Sequence, residues 1–139
     1  MTVFRIINQH KSTSIKKAVF IQHGIFRSSD DWLINSEGEL DSNNNYVENG
    51  GTLVNNCDGK KHPANTLGFV LADCGYDVWM GNSRGTTYSN QHQTMSETDP
   101  RFWKYSFQQM GHYDLPAVID YILKMTNQSK QNLVELFLN

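Results

Sequence analysis

The sequence predicts an α/β fold in which helices flank a mostly parallel sheet. Residues 18–22 form a continuous apolar run, which is typical of a strand buried on both faces. Apolar residues then recur at helical spacing from Leu67 to Cys74, and Gly75 alone separates them from a second strand at 76–80. This strand–helix–strand order indicates a βαβ unit, and hence parallel strands with a covering helix.

The remaining segments are assigned from their apolar runs and turn residues. They are a strand at 3–7, a loop at 8–17, a short helical turn capped by 28–31, a helix over 107–122 and a final strand at 133–138. Ser106 and Gln109 have the spacing of a capping box, and Pro116 would kink or restart the helix with Asp114 as its new cap. Residues 35–65 are rich in Asn, Asp, Gly and Ser, so we predict a polar loop insertion without a core.

Length and charge limit what the chain can do. We assign residues 1–139 to a single modest domain. The net charge of -2 gives no basic surface for nucleic acid, and no apolar run is long enough for a transmembrane segment. Residues 1–7 lack the apolar core and cleavage site of a signal peptide, which leaves the localisation unknown.

Two cysteines and one sequon bear on redox state and modification. Cys57 and Cys74 are too few for a disulfide framework, and we interpret them as one loop thiol and one buried thiol, with a single bridge as the alternative. The spacings of these cysteines with His62 and His92 match no zinc pattern, so we expect no metal site and no cofactor. Residues 127–129 read Asn-Gln-Ser, an N-glycosylation sequon that matters only in the secretory pathway.

The strand at 76–80 runs into a motif that reads Gly-x-Ser-x-Gly, the spacing of the nucleophile elbow of α/β-hydrolases. Its residues are Gly81, Asn82, Ser83, Arg84 and Gly85. A true elbow leads directly into a helix, whereas residues 86–93 combine turn formers with β-branched residues and have no apolar face. We therefore favour a structural turn in which Arg84 satisfies nearby carbonyls or a carboxylate. A minimal esterase that uses Ser83 is the weaker alternative.

A second candidate site follows the buried strand at 18–22. His23, Gly24 and Ile25 form a strand-to-turn junction, where α/β-hydrolases place backbone N–H groups that stabilise the oxyanion of acyl transfer. The N–H of Ile25 would be the donor. Taken alone, the same residues are also typical of an ordinary tight turn, and both interpretations stay open.

Several blocks, in the same order along the chain, resemble the acid lipases, which are the gastric, lysosomal and lingual lipase group of the α/β-hydrolase fold. The matching segments are 20–25, 28–32, 71–85, 102–103, 106–107, 113–117 and 119–123. The block that ends in Gly-Asn-Ser-Arg-Gly is highly specific, and most of the chain outside 35–65 is covered. Departures from the family are the length of 35–65, Arg27 in place of a small residue, and Gln108 and Gln109 in place of an acidic pair.

The resemblance implies a partial α/β-hydrolase fold whose strands pair in the order second, fourth, third, fifth of the family. In the family, the residues that match 81–85 form a structural turn. The family's nucleophile lies in a later Gly-His-Ser-Gln-Gly, after the strand that matches 132–138. We therefore expect a chain truncated before the nucleophile elbow, with no catalytic triad residue. Only His23, Gly24 and Ile25 carry over, as the first oxyanion element.

The resemblance also implies a parent activity, the serine-dependent hydrolysis of lipid carboxylic esters, such as triacylglycerol or sterol esters, in lipid catabolism. We expect this chain to be inactive alone, and the alternative is a non-catalytic remnant that binds lipid or a partner protein. The family is typically secreted or lysosomal. Its fifth strand would be an exposed parallel edge here, so we also predict that the isolated chain is marginally stable and prone to aggregation.

Overall fold

The computed structural model describes residues 1–7, 16–35, 37–44, 46–48, 53–55, 57, 59, 61–63, 66–129 and 134–137. In chain order, the elements are β1 (Thr2–Ile6), β2 (Ala18–Gln22), a 3₁₀ helix (Ser29–Trp32), β3 (Gly38–Leu40), β4 (Tyr46–Glu48), β5 (Leu53–Asn55), β6 (Lys61–Pro63), α1 (Leu67–Asp73), β7 (Asp77–Asn82), α2 (Phe107–Gln109), a π-helical turn (Met110–Asp114), α3 (Leu115–Thr126) and β8 (Val134–Phe137).

The main sheet contains four strands in the spatial order β1-β7-β2-β8. The central strand β2 pairs in parallel with β7 and β8, while β1 pairs antiparallel with β7. The predicted α/β class, the mostly parallel sheet and the predicted strand order are therefore confirmed. Within the described sheet, β8 is an edge strand, as that order requires.

The core lies on both faces of this sheet, because neighbouring residues of β2 point to opposite sides. One buried cluster, on the α3 side, consists of Ala18, Phe20, Trp79, Val118 and Ile122. The other, on the side of α1 and the 3₁₀ helix, consists of Val19, Ile21, Trp32, Ala72, Val78 and Met80. All four apolar residues of β2 are buried, which confirms that this strand is covered on both faces.

Both predicted helices are present. Gly75 adopts the predicted left-handed conformation after α1, with a φ of 90°. The connection is longer than the predicted single glycine, because residues 74–76 separate α1 from β7. Ser106 caps α2 in a capping box with Gln109, whose side chain accepts the Ser106 N–H at 2.8 Å. Among the described residues, no helix combines the length and apolar character needed to cross a bilayer.

Pro116 lies in the first turn of α3, just after the π-helical turn. In that turn the helix is wider, and the Leu115 N–H donates to the carbonyl of Met110, five residues earlier. The change of helix type near Pro116 agrees with the predicted restart. Asp114 stands at the predicted N-cap position of α3, but its side chain makes no capping hydrogen bond, because the carboxylate binds Arg84 instead.

The sequence predicts only a polar loop over residues 35–65, but the structure places two small antiparallel pairs there. β3 pairs with β4, and β5 pairs with β6. The abundant Asn and Asp residues form hairpin turns instead of an open loop: Asp41 accepts the Asn43 N–H at 2.8 Å, and Asn44 has a φ of 62°. Strands of three residues are too short to show alternation in the sequence, which explains the difference.

A disulfide joins the insertion to the main domain. Cys57 and Cys74 are bonded, with their Cα atoms 5.3 Å apart. The preferred interpretation of two separate thiols is therefore wrong, and the alternative of a single bridge is right. The sequence could not decide between them, because the contact depends on how the insertion returns to the end of α1.

Candidate functional site

The candidate oxyanion loop leaves the carboxyl end of β2. His23 is buried there, and its Nε2 accepts the backbone N–H of Ser83 at 3.1 Å. The other ring nitrogen, Nδ1, lies 2.7 Å from the carbonyl oxygen of Gly24. Since Nε2 is an acceptor, Nδ1 carries the proton and donates it to Gly24, so the ring is a neutral imidazole with both nitrogens engaged.

The tip of this loop faces solvent. Ile25 is 50% exposed, and Phe26 is 98% exposed with a φ of 60°. A left-handed backbone is unusual for a bulky residue and costs roughly 1 to 2 kcal/mol. Within the part of the chain that the structure describes, Arg27 makes a surface ion pair with Asp31, at 3.3 Å. The loop therefore projects an apolar, strained tip and has little packing to hold it.

A buried asparagine connects the base of this loop to the neighbouring strand. Asn82, the last residue of β7, accepts the Ser29 N–H through Oδ1 at 3.0 Å and donates from Nδ2 to the Ser29 hydroxyl at 3.0 Å. Asp30, on the same 3₁₀ helix as Ser29, accepts a hydrogen bond from the Tyr88 hydroxyl at 2.9 Å. This hydrogen bond raises the pKa of the Tyr88 phenol. The loop is thus anchored at its base and left free at its tip.

Ser83 lies in the turn after β7, directly beside His23. Its hydroxyl accepts a hydrogen bond from Nε2 of Gln22 at 3.1 Å. The imidazole of His23 is bonded to the Ser83 backbone N–H, and it is therefore not available to take a proton from the Ser83 hydroxyl. The Ser83 carbonyl accepts the Thr86 N–H at 3.2 Å, so the chain continues in a turn where a nucleophile elbow would begin its helix.

Arg84 connects this turn to the start of α3. Its Nε donates to Asp114 at 2.7 Å, and its Nη2 donates to the other oxygen of the same carboxylate. This hydrogen bonding raises the pKa of Arg84. The guanidinium also lies 5.5 Å from the ring centre of Tyr105, and the Tyr105 hydroxyl donates to the Arg84 carbonyl at 3.0 Å. Burial raises the pKa of Tyr105.

Gly85 completes the turn at a position where any side chain would be strained. Its φ is 85°, and a methyl group on its Cα would overlap the hydroxyl of Tyr105 and lie 3.0 Å from the ring of Trp103. The Gly85 N–H donates to the carbonyl of Ser89 at 3.0 Å. The aromatic residues at 103 and 105 therefore pack directly on the backbone of the turn.

The two candidate stretches lie side by side, because β2 and β7 are adjacent and parallel and their carboxyl ends meet at one edge of the sheet. His23, Gly24 and Ile25 form one loop at this edge. Of the predicted turn, Gly81 and Asn82 are the last residues of β7, and only residues 83–85 form the turn beside the loop. Among the described residues, no three His, Cys, Asp or Glu side chains come together in a way that could hold a metal ion.

Two kinds of sequence comparison relate the chain to known proteins. A family model described as a partial alpha/beta-hydrolase lipase region matches residues 1–36, which include β1, β2 and the candidate loop. The chain is 44% identical to Lipase member N of Homo sapiens over 120 residues, which cover 86% of this chain and 24% of that protein. The chain is acid-lipase-like.

Two further relatives are also named as lipases. The acid-lipase-like chain is 40% identical to the gastric triacylglycerol lipase of Bos taurus over 119 residues, 86% of this chain and 23% of the relative. It is 39% identical to the lysosomal acid lipase/cholesteryl ester hydrolase of Homo sapiens over 121 residues, 87% of this chain and 24% of the relative. The chain thus corresponds to an N-terminal portion of such lipases and spans about a quarter of their length.

Some contacts at this edge of the acid-lipase-like chain were not predicted from the sequence. They involve Gln22, which donates to Ser83, Asp114, which binds Arg84, and the pairing of Asn82 with Ser29. The sequence predicts that Arg84 binds carbonyls or a carboxylate, but nothing in it indicates which group. The strained backbone at Phe26 has no signal either, because glycine or asparagine is the usual residue in that conformation.

Proposed function

We propose that this chain supplies the N-terminal, oxyanion-stabilising part of a serine-dependent hydrolase of lipid carboxylic esters. The observation that carries the proposal is the similarity to proteins named as lipases across 86% or more of the chain. The names of two relatives suggest the substrate class, triacylglycerol or sterol esters. The reaction would pass through an acyl-enzyme that forms and breaks by way of tetrahedral intermediates.

The Ile25 N–H is the proposed oxyanion donor. Its loop begins at the carboxyl end of a central parallel strand, which is where α/β-hydrolases place the first donor. His23 supports the loop from below, because its ring bonds both Gly24 and the neighbouring turn. A backbone N–H directed at the oxyanion stabilises the negative charge that develops in the transition state.

We further propose that residues 81–85 are a structural turn and that the nucleophile, acid and histidine come from sequence outside 1–139. Support comes from the contacts of Ser83, whose hydroxyl meets Gln22, whose nearest imidazole is already bonded, and whose turn is fixed by Arg84. The 139 residues alone would then lack esterase activity.

A fluorophosphonate probe tests the role of Ser83. We expect no covalent labelling of the purified chain and no hydrolysis of a tributyrin emulsion. The Ser83→Ala variant is the matched control, and it should give the same background as the unmodified chain. Labelling that disappears in Ser83→Ala would overturn the structural assignment and favour a minimal esterase.

A chimera tests the oxyanion role. The chain replaces the corresponding N-terminal portion of the bovine gastric triacylglycerol lipase, and tributyrin hydrolysis is measured. Ile25→Pro removes the proposed N–H donor, and we expect kcat to fall by roughly 10² to 10³. Ile25→Val keeps the N–H and should retain activity within a few-fold. Equal activity of the two variants would exclude the Ile25 N–H as the donor.

A non-catalytic lipid-binding remnant is the second candidate, and the exposed apolar tip at Ile25 and Phe26 favours it. Flotation of the chain with phosphatidylcholine vesicles separates the two functions. Binding that is lost in Phe26→Ser, combined with a chimera that never hydrolyses tributyrin although it folds, would support the remnant. An active chimera would support the hydrolase.

A further inference from the structure

The end of α3 carries the sequon Asn127-Gln128-Ser129, and the structure presents it as an acceptor site. Asn127 is exposed and adopts a left-handed conformation, with φ 52° and ψ 37°, just after the last helical residue. Its backbone N–H donates to the Leu123 carbonyl, so the main chain closes the helix. Among the described residues, no hydrogen bond involves the Asn127 side chain, and the residue is exposed.

The middle residue of the sequon fixes this arrangement. Gln128 points inward, where its Oε1 accepts the Ala18 N–H at 3.2 Å and its Nε2 donates to the Lys16 carbonyl at 2.6 Å. These two bonds attach the end of α3 to the start of β2. Gln128 is thus held against the sheet, while the adjacent Asn127 is exposed.

The position is compatible with the candidate site. Lys16 and Ala18 lie at the amino end of β2, whereas the loop that starts at His23 leaves its carboxyl end. At about 3.3 Å per residue, roughly 16 Å of strand separate the two ends. A glycan on Asn127 would therefore project from the edge of the domain opposite the candidate oxyanion loop.

An independent observation indicates the compartment in which such a modification occurs. Cys57 and Cys74 form a disulfide that joins the insertion to the end of α1, and neither residue is buried. Accessible disulfides persist in the secretory pathway and outside the cell, whereas the cytosol keeps thiols reduced. The disulfide and the exposed sequon therefore point to the same compartment from different parts of the chain.

We infer that Asn127 is an N-glycosylation site. The reaction joins the Asn127 side-chain nitrogen to C1 of the first sugar of a lipid-pyrophosphate-linked oligosaccharide. The bond between C1 and the pyrophosphate oxygen breaks, that oxygen keeps the electron pair, and the amide nitrogen loses one proton. No further oxidant or reductant is needed.

Translation with microsomes tests the site. The 139-residue chain, preceded by a cleavable signal sequence, is translated with microsomes, and the protease-protected fraction is treated with peptide N-glycosidase. We expect one enzyme-sensitive increase in mass in the unmodified chain and in Ser129→Thr, and none in Asn127→Gln or Ser129→Ala. An unmodified chain inside the vesicles, or a glycan that persists in Asn127→Gln, would overturn the assignment.

A second experiment asks whether Asn127 is glycosylated in the natural protein. Protein isolated from its source is treated with peptide N-glycosidase in ¹⁸O-water, which converts a glycosylated asparagine to labelled aspartate. We expect the label at Asn127, and recovery of this peptide with unmodified asparagine would overturn the inference. Neither readout depends on ester hydrolysis, so a failure here leaves the proposed lipase role untouched, and the reverse also holds.

Discussion

Two turns leave the same edge of the sheet, and they differ in how firmly they are held. Contacts hold all three residues of the turn at 83–85: Ser83 is bonded to Gln22 and His23, Arg84 is bonded to Asp114, and aromatic side chains pack on Gly85. The loop at 23–27 is anchored only at its base, and its tip is exposed and strained.

This difference indicates which of the two turns is available to contact a ligand. The turn whose sequence matches a nucleophile elbow is the more firmly bonded one. Its polar groups already form hydrogen bonds with other parts of the chain. The loop without a distinctive motif holds strain at Phe26 and leaves its neighbour Ile25 half-exposed. Backbone strain that packing does not explain is typical of sites that meet a ligand.

The largest expected effect comes from breaking the tight turn at Arg84. Arg84→Ala leaves the buried Asp114 carboxylate without its partner, and we expect a loss of about 3 to 4 kcal/mol in the free energy of unfolding. Urea unfolding followed by circular dichroism measures it. The exposed edge strand β8 predicts that the chain is only marginally stable. In that case the Arg84→Ala variant will be unfolded even without urea, and its unfolding curve will have no folded baseline.

The matched control lies in the loose loop. Arg27 makes an ion pair of the same type with Asp31, but the Arg27 side chain is 65% exposed, against 35% for Arg84. We expect Arg27→Ala to change the free energy of unfolding by less than about 1 kcal/mol, because exposed pairs contribute little. Equal losses in the two variants would mean that the turns are held equally firmly.

The second effect separates backbone strain from packing. Gly85→Ala places a methyl group against Tyr105, and we expect a loss of about 3 kcal/mol from the left-handed backbone and the overlap together. Gly75→Ala is the control, because Gly75 has a similar φ of 90° but open space around its Cα. It should lose only roughly 1 to 2 kcal/mol. Urea midpoints of the two variants give the difference.

The third effect concerns the link between the two turns. Asn82→Ala leaves the N–H and hydroxyl of Ser29 without partners in a buried place, and we expect a loss of about 2 kcal/mol. Asn90→Ala removes an exposed hydrogen bond to Glu97 and should cost less than about 0.5 kcal/mol. Hydrogen exchange of residues 23–33 is the second measurement. Unchanged exchange in Asn82→Ala would show that the loop does not depend on β7.

The parts of the fold that the sequence could predict are those set by local or periodic signals. The buried run of β2, the glycine turn at Gly75 and the capping box at Ser106 each depend on neighbouring residues, and all three are confirmed. The strand order followed from the acid-lipase resemblance and not from periodicity. The structure also confirms it.

The parts that could not be predicted depend on residues far apart in the chain. Asp114 was expected to cap a helix, and it instead binds Arg84, thirty residues earlier. The bridge between Cys57 and Cys74 requires the insertion to fold back onto α1. A sequence shows which side chains need a partner, but only the fold decides which partner comes within reach.

The smallest expected effect has the opposite sign, and it tests the strain in the loose loop directly. Phe26→Gly removes the left-handed penalty of roughly 1 to 2 kcal/mol, while the added freedom of the unfolded chain offsets about half of it. Since the Phe26 side chain is 98% exposed, no packing is lost, and we expect a net stabilisation below about 1 kcal/mol. Phe107→Gly, at an exposed position in a right-handed helix, should instead destabilise by about 0.5 to 1 kcal/mol. A urea midpoint for Phe26→Gly that falls below that of the unmodified chain would mean that Phe26 is packed, and the contrast between the two turns would then disappear.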